Sequence, residues 1–365
     1  MNIAYQNFDV AIEQNEEGYF VHVREAPAGE AVEPFYLSIS AQEQAIFTQA
    51  LAAQADQAES NAAGAAELEA VGKKLFTALF PPPILGLLQS SYRMAYEQRA
   101  RLRIRLQLTN VPELTSLPWE YLYDPSRNEF LALVLHSPLV RYTQLLHHVL
   151  PFKVKPPLRM LVIIASPEGY PPINRERQWF TLLDTLDYLA LEGHLLIERL
   201  MKPTLLDLQR RLRQGDCHLL HFIGYGTTEP FTRDGVLAFE DEMGRARLIN
   251  GEHLGALLRD HFPLRLVTLC AADAERTSSD NPFIQTAQSL IRRGMPAVVA
   301  LRSALHEERM VQFLNTFYPA IVNYTPLDIA ITEVRRTLQS GAQDHSWGTP
   351  VLITRIPDGQ LFTTK

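Results

Sequence analysis

Cysteine is scarce in this chain. Only Cys217 and Cys270 occur in 365 residues. Two thiols cannot build a disulfide scaffold, and they cannot supply a cysteine-rich zinc site. Long apolar runs are missing as well. No stretch approaches the ~18–20 residues that a membrane-spanning helix needs. The first residues, Met1-Asn2-Ile3-Ala4-Tyr5-Gln6-Asn7, hold neither a basic nor an apolar leader segment. A reducing, cytoplasmic setting without a membrane role is therefore expected. Charge of one sign is not in large excess: 34 Lys plus Arg against 41 Asp plus Glu give −7. That balance favours solubility and speaks against a dedicated nucleic-acid binder. Nucleotide and hydrolase signatures are absent too. No Gly-Lys-Ser/Thr occurs, and no Gly-x-Ser-x-Gly elbow. Gly224-Tyr225-Gly226 follows an apolar run but lacks the third glycine and the helix of a dinucleotide fingerprint. No cofactor is expected.

What is present is an ordinary globular balance, 46% hydrophobic and 21% charged, which excludes a wholly disordered chain. A chain of this length buries roughly three quarters of its unfolded surface and accommodates two domains or one large α/β unit. Residues 8–12 and 19–23 alternate apolar and polar around Asn15-Glu16-Glu17-Gly18, a β-hairpin signal. Residues 35–39 read as a third strand, and Ser40 with Glu43 has capping-box spacing. The Ala-, Glu- and Gln-rich stretch 41–70 reads as a connecting helix broken at Asn61-Ala62-Ala63-Gly64. Helices are expected over 67–80, stopped by Pro81-Pro82-Pro83, and over 84–98. Residues 102–108 alternate strictly, as a strand with one apolar and one basic face. Its arginines, Arg101, Arg103 and Arg105, read as internal ion pairs or a solvated face. A short strand is expected near 130–135, and the proline-rich segment 151–157 reads as a linker.

From Leu158 the pattern changes. Apolar runs at 158–165, 219–223, 264–269 and 297–301 alternate with helical patterns at 174–191, 204–214, 251–260, 283–293, 306–322 and 326–339. Val351-Leu352-Ile353-Thr354 is a last strand. Strands apolar on both faces suit a covered, mostly parallel sheet, and in such α/β sheets chemistry sits beyond the strands' C-terminal ends. The expected division is 1–66, an N-terminal β-hairpin and helical extension; 67–150, helices with short strands; and 151–365, an α/β domain.

Two strand ends stand out: His221-Phe222-Ile223-Gly224-Tyr225-Gly226 and Leu269-Cys270-Ala271-Ala272-Asp273. With them the chain resembles the CHAT domains, bacterial caspase-like cysteine proteases related to separases and metacaspases. Further matching segments are Gly72-Lys73-Lys74-Leu75-Phe76, Leu117-Pro118-Trp119-Glu120, Val140-Arg141-Tyr142, Gly235-Val236-Leu237-Ala238-Phe239 and Gly294-Met295-Pro296-Ala297-Val298-Val299. Phe317-Tyr318 and Trp347-Gly348-Thr349-Pro350-Val351 complete the likeness, which runs from about 67 to 355. The resemblance implies a caspase-like sheet flanked by helices. It also implies a His/Cys dyad at the ends of two strands, the family patterns being His-Phe-x-Gly-His-Gly and Leu-x-Ala-Cys.

Those two positions depart from the family pattern. Tyr225 stands where the family has its base histidine, and Ala272 where it has its nucleophilic cysteine. Alanine has no nucleophile, and a phenol of pKa ~10 is no base matched to neutral pH. The expectation is therefore a pseudoprotease with no catalytic residues, acting as a scaffold or regulator in a bacterial signalling or defence assembly. Tyr225, Gly226, Ala272 and Asp273 would line its peptide cleft. The partner would be a protein or peptide, an active protease paralogue among the options. The alternative is a working endopeptidase with a displaced dyad of His221 and Cys270, each on the same strand face as its family counterpart. In the family an acidic pocket often receives a basic substrate residue. Asp273 and Glu275, beside Arg276, lie near the rim, while Glu240-Asp241-Glu242 reads as a solvated turn. Cys217-His218-x-x-His221 alternates faces and is not read as a metal site. His136, His147 and His148 read as surface residues.

Overall fold

The computed structural model describes residues 4–40, 43, 61–108, 111–144, 149–232, 234–272, 281–340 and 345–364. Two units emerge, Met1–Gln144 with Gln339–Gly348, and Leu145–Leu338 with Thr349–Lys365.

The first unit opens with the expected hairpin, β1 (Tyr5–Asn15) and β2 (Gly18–Glu25). The Asn15 side chain accepts the N–H groups of Glu17 and Gly18, and Gly18 takes a φ of +131° that favours glycine. The third strand, β3 (Ala31–Pro34), lies earlier than the 35–39 expected from the pattern. Phe35 is buried between the Tyr19 and Trp119 rings, so its apolar character belongs to a ring cluster. Helix α1 spans Asn61–Leu79, so Asn61-Ala62-Ala63-Gly64, expected as a break, lies within helix. Leu68, Leu75 and Leu79 form its buried stripe, and that packing outweighs the ~1 kcal/mol penalty of Gly64. Of the helix expected over 41–60, only Glu43 lies among the described residues, its carboxylate accepting from the Ser40 hydroxyl and N–H.

Helix α2 (Pro82–Glu97) starts on its prolines and leads to β4 (Arg101–Gln107). A small ladder of β5 (Tyr123–Asp124) and β6 (Glu129–Phe130) follows, then β7 (Leu139–Tyr142). The strand expected over 130–135 is cut short by a 3₁₀ turn at Leu131–Leu133. The sheet runs β7-β4-β1-β2-β3, with β7, β4 and β1 parallel. The basic face of β4 is internal. Arg105 binds Asp9 at 2.6 Å with both side chains buried, and Arg103 lies 4.5 Å over the Tyr5 ring.

Glu120 and Arg141 explain two of the motif segments. They form a buried two-pronged pair at 2.9 and 2.6 Å, and Arg141 also donates to the carbonyls of Thr115 and Leu117. One side chain thus ties β7 to the turn that carries Trp119. Truncating Glu120 would leave a buried guanidinium without its counter-charge. Glu120→Ala should cost about 3–5 kcal/mol of stability, read as a lowered urea midpoint; an unchanged midpoint would contradict this role.

The second unit is the doubly wound part. It comprises β8 (Phe152–Val154), β9 (Leu158–Ile164), α3 (Arg175–Leu191), β10 (Leu195–Arg199), α4 (Leu205–Arg213) and β11 (Leu219–Gly224). A three-stranded insertion follows, β12 (Gly226–Thr228), β13 (Gly235–Glu240) and β14 (Ala246–Asn250). Then come α5 (Gly251–Arg259), β15 (Leu266–Ala271), α6 (Pro282–Arg292) and β16 (Ala297–Leu301). The unit's last elements are α7 (Glu307–Val322), α8 (Leu327–Ser340), β17 (Pro350–Thr354) and β18 (Phe362–Thr364). The main sheet runs β10-β9-β11-β15-β16-β17, parallel except for β17. The segment expected as a linker carries β8, which pairs with β18.

The helices lie where the pattern places them, because their caps are written in the sequence. Asn174, Thr204 and Asn250 each accept an N–H from the first turn of α3, α4 and α5. Gly215 follows α4 at φ +119°. Every residue of β11, β16 and β17 is buried, as a sheet covered on both faces requires. Among the described residues no helix is long and apolar enough to cross a membrane.

Candidate functional site

Three strands of the second unit end at one level. Ala165 donates its N–H to the Ile223 carbonyl at 2.9 Å, and Ala272 donates to the Gly224 carbonyl at 2.9 Å. Gly224 pairs with Ala271 in the parallel register. Tyr225 and Ala272 are therefore the first residues beyond β11 and β15, side by side at the C-terminal rim where α/β sheets place their chemistry.

Tyr225 is committed to packing. Its ring stacks on Tyr170 with centroids 5.0 Å apart, and its hydroxyl donates to the Pro171 carbonyl at 2.9 Å. Only 6% of it is exposed. Gly226 opens β12 against Pro282 and Phe283, where an added Cβ would sit about 3.2 Å from Pro282. Ala272 is half-buried and carries no functional group. Asp273, Glu275 and Arg276 lie outside the described residues.

Glu240 is not part of a solvated turn. It is buried, binds Arg175 at 2.5 Å and accepts the Ser166 N–H at 2.8 Å. The Ser166 hydroxyl accepts from Ile173 N–H at 2.9 Å. Tyr225 and Glu240 thus hold the segment that follows β9. Asp241 is the turn residue of the acidic trio. The N–H groups of Arg245 and Met243 hold its carboxyl below the usual range, and Glu242 is exposed.

His221 and Cys270 do meet, one layer below the rim. The His221 Nε2 lies 3.7 Å from the Cys270 Sγ, and its Nδ1 lies 2.6 Å from the Tyr318 hydroxyl on α7. Tyr318 donates onward to Thr268 Oγ1 at 3.2 Å. With that proton spent on Thr268, the arrangement suits an imidazole protonated on Nδ1, with Nε2 facing the thiol. His221, Cys270 and Tyr318 are all 0% exposed. Burial alone pulls the His221 pKa down to about 3 and pushes the Cys270 thiol far above its ordinary value. The pair is thus a neutral thiol on a neutral imidazole, the opposite of the thiolate that a cysteine nucleophile needs.

The other histidines have structural duties. His218 Nδ1 accepts the Arg159 N–H at 2.9 Å, and His261 Nε2 accepts the Cys217 N–H at 3.2 Å. Burial lowers the His218 pKa to about 4 and raises the Cys217 thiol to about 12. Cys217, His218 and His221 thus serve different neighbours, and among the described residues no group of three or more His, Cys, Asp or Glu could hold a metal ion. His136 is exposed, and His147 and His148 lie outside the described residues. Sequence reasoning missed Tyr170, Pro171, Arg175 and Thr268 as partners of this region. Tyr318 carried a signal only as part of the Phe317-Tyr318 segment.

A mostly parallel sheet between helices, with its rim built from the ends of β9, β11 and β15, defines a caspase-like α/β fold. The CHAT domain profile matches residues 69–355. The chain belongs to the CHAT domain family. Among solved structures it is similar to Saccharomyces cerevisiae separase in complex with securin, at 10% identity and a TM-score of 0.51, covering 96% of this chain and 30% of that one. A second separase–securin structure gives 9% identity and a TM-score of 0.50 over the same shares. The chain thus spans less than a third of the separase chain it matches. The Arg-specific cysteine proteinase gingipain R aligns at 11% identity and a TM-score of 0.46, over 80% of this chain and 74% of that one. No curated protein matches the chain.

The buried histidines set a pH dependence. His218 and His221 have folded pKa values of about 4 and 3, against ~6.5 unfolded. Between those values the unfolded chain binds more protons, so stability rises with pH. The contribution is complete above pH ~6.5 and is lost as pH falls toward about 4 for His218 and about 3 for His221. Urea midpoints should therefore drop steadily from pH 7 to pH 4, and a flat profile would contradict neutral buried imidazoles.

Proposed function

We propose that this CHAT domain is a pseudoprotease, a protein- or peptide-binding scaffold or regulator within a bacterial signalling or defence assembly. The observation that carries the reading is the state of the rim. By the motif resemblance, the position of the family's base falls on Tyr225, which is bonded to Pro171, and that of its nucleophile on Ala272. A cysteine endopeptidase needs a thiolate within reach of a peptide carbonyl, and the rim offers none among the described residues. Kept scaffold and replaced dyad together fit a domain that holds a chain without cutting it. Tyr225, Gly226, Ala272 and Asp273 are the proposed contacts, and a basic residue of the bound segment would suit Asp273. The separase of similar fold is itself in complex with a protein, securin. An active protease paralogue is the partner of choice to test, since a substituted domain can complete an assembly whose dyad lies on another chain.

One observation favours a second reading, an endopeptidase using His221 and Cys270: the 3.7 Å contact between them. Their full burial and uncharged forms weigh against it, because attack would require the sheet to open by about two residues.

Purified protein should cleave none of a fluorogenic peptide library varied at P1. A peptide electrophile should leave Cys270 unmodified over hours, while both cysteines should react once the chain is unfolded in urea. Turnover or native labelling that disappears in Cys270→Ala would overturn the pseudoprotease reading and establish the displaced dyad.

A further inference from the structure

A groove of about 610 Å³ runs between α4 and α5 of the second unit and shares no residue with the rim. Leu206, Leu212 and Leu257 supply its apolar surface. Leu206 is 40% exposed, a large apolar side chain left to water on a helix with a strong apolar stripe. Arg213 and Arg247 stand along the groove, both exposed. Neither has a carboxylate partner among the described residues. The other arginines of α4 do, Arg210 on Asp207 and Arg211 on Glu198. The groove's one carboxylate, Asp260, lies beside Arg259 at 3.6 Å.

The distribution is informative because the chain as a whole is acidic, at −7. Here the leucines share a groove with two guanidinium groups that have no carboxylate partner among the described residues. Every polar side chain along it is exposed or half-buried rather than converging from the protein interior. A small-molecule pocket encloses its ligand and orients it with buried polar groups. Leucines mixed with exposed charged side chains are the composition of a protein interface. Two helices flanking such a groove suit a third helix laid into it, read through apolar residues at i, i+4 and i+7.

We infer that the α4–α5 groove is a docking site for an acidic amphipathic helix of a partner protein, with apolar side chains over Leu206, Leu212 and Leu257 and carboxylates on Arg213 and Arg247. The site stands whether or not Cys270 is inert, so its failure and that of the pseudoprotease reading are separable.

The test uses the full chain and a fluorescein-labelled helical peptide of about 16 residues, with leucines at i, i+4, i+7 and i+11 and glutamates elsewhere. A matched peptide has lysines in place of the glutamates. Fluorescence anisotropy should show the glutamate peptide binding, more weakly as salt rises, and the lysine peptide not binding. Arg213→Glu with Arg247→Glu should weaken the glutamate peptide by at least roughly tenfold and admit the lysine peptide. Both sites are exposed, so an unchanged thermal midpoint verifies folding. No binding of the glutamate peptide, equal binding of both peptides, or affinity indifferent to the charge reversal would each overturn the assignment.

Discussion

A parallel strand covered on both faces can offer chemistry only where it ends. In this sheet the ends of β9, β11 and β15 form one rim, and everything behind it is enclosed. Cys270 stands two residues behind Ala272, about 6.6 Å along the strand. That distance changes the thiol's chemistry. At the rim a neighbouring imidazole and water would stabilise a thiolate; behind it the low dielectric favours the neutral forms of both partners. The polar atoms are then satisfied locally, from Cys270 through His221 and Tyr318 to Thr268. Such a chain ties α7 to two neighbouring strands and specifies how they pack.

The rim itself has become a joint. Tyr225 holds the segment after β9 by stacking on Tyr170 and bonding Pro171, and the buried pair of Glu240 and Arg175 holds it from the other side. The phenol fills the space beside Tyr170 and reaches the Pro171 carbonyl. On the proposed reading, this CHAT domain keeps its architecture while packing groups stand at the rim.

Much of this was legible in the sequence because it is local. The helical patterns at 204–214 and 251–260 and the doubly apolar strands each declare themselves within a few residues. The misreadings arose where tertiary contacts decide. Phe35 looked like a strand residue but serves a ring cluster with Trp119, and Pro-rich 151–157 looked like a linker but carries a strand completed by residues over two hundred positions away. Glu240 looked solvated because its partner, Arg175, is 65 positions distant. The same holds at the site. The place of residues 225 and 272 just beyond two strands could be read from the motifs, whereas the burial of Cys270 and the roles of Tyr318 and Pro171 depend on how distant elements meet.

The central claim is that His221 and Cys270 form an uncharged, structural pair. The most direct test is the ring-nitrogen NMR spectrum of His221, assigned with His221→Gln, followed from pH 8 to pH 5. A neutral imidazole protonated on Nδ1, unchanged across that range, is the predicted result. An imidazolium at neutral pH, lost in Cys270→Ala, would reveal an ion pair of the kind a working protease requires and would contradict the account.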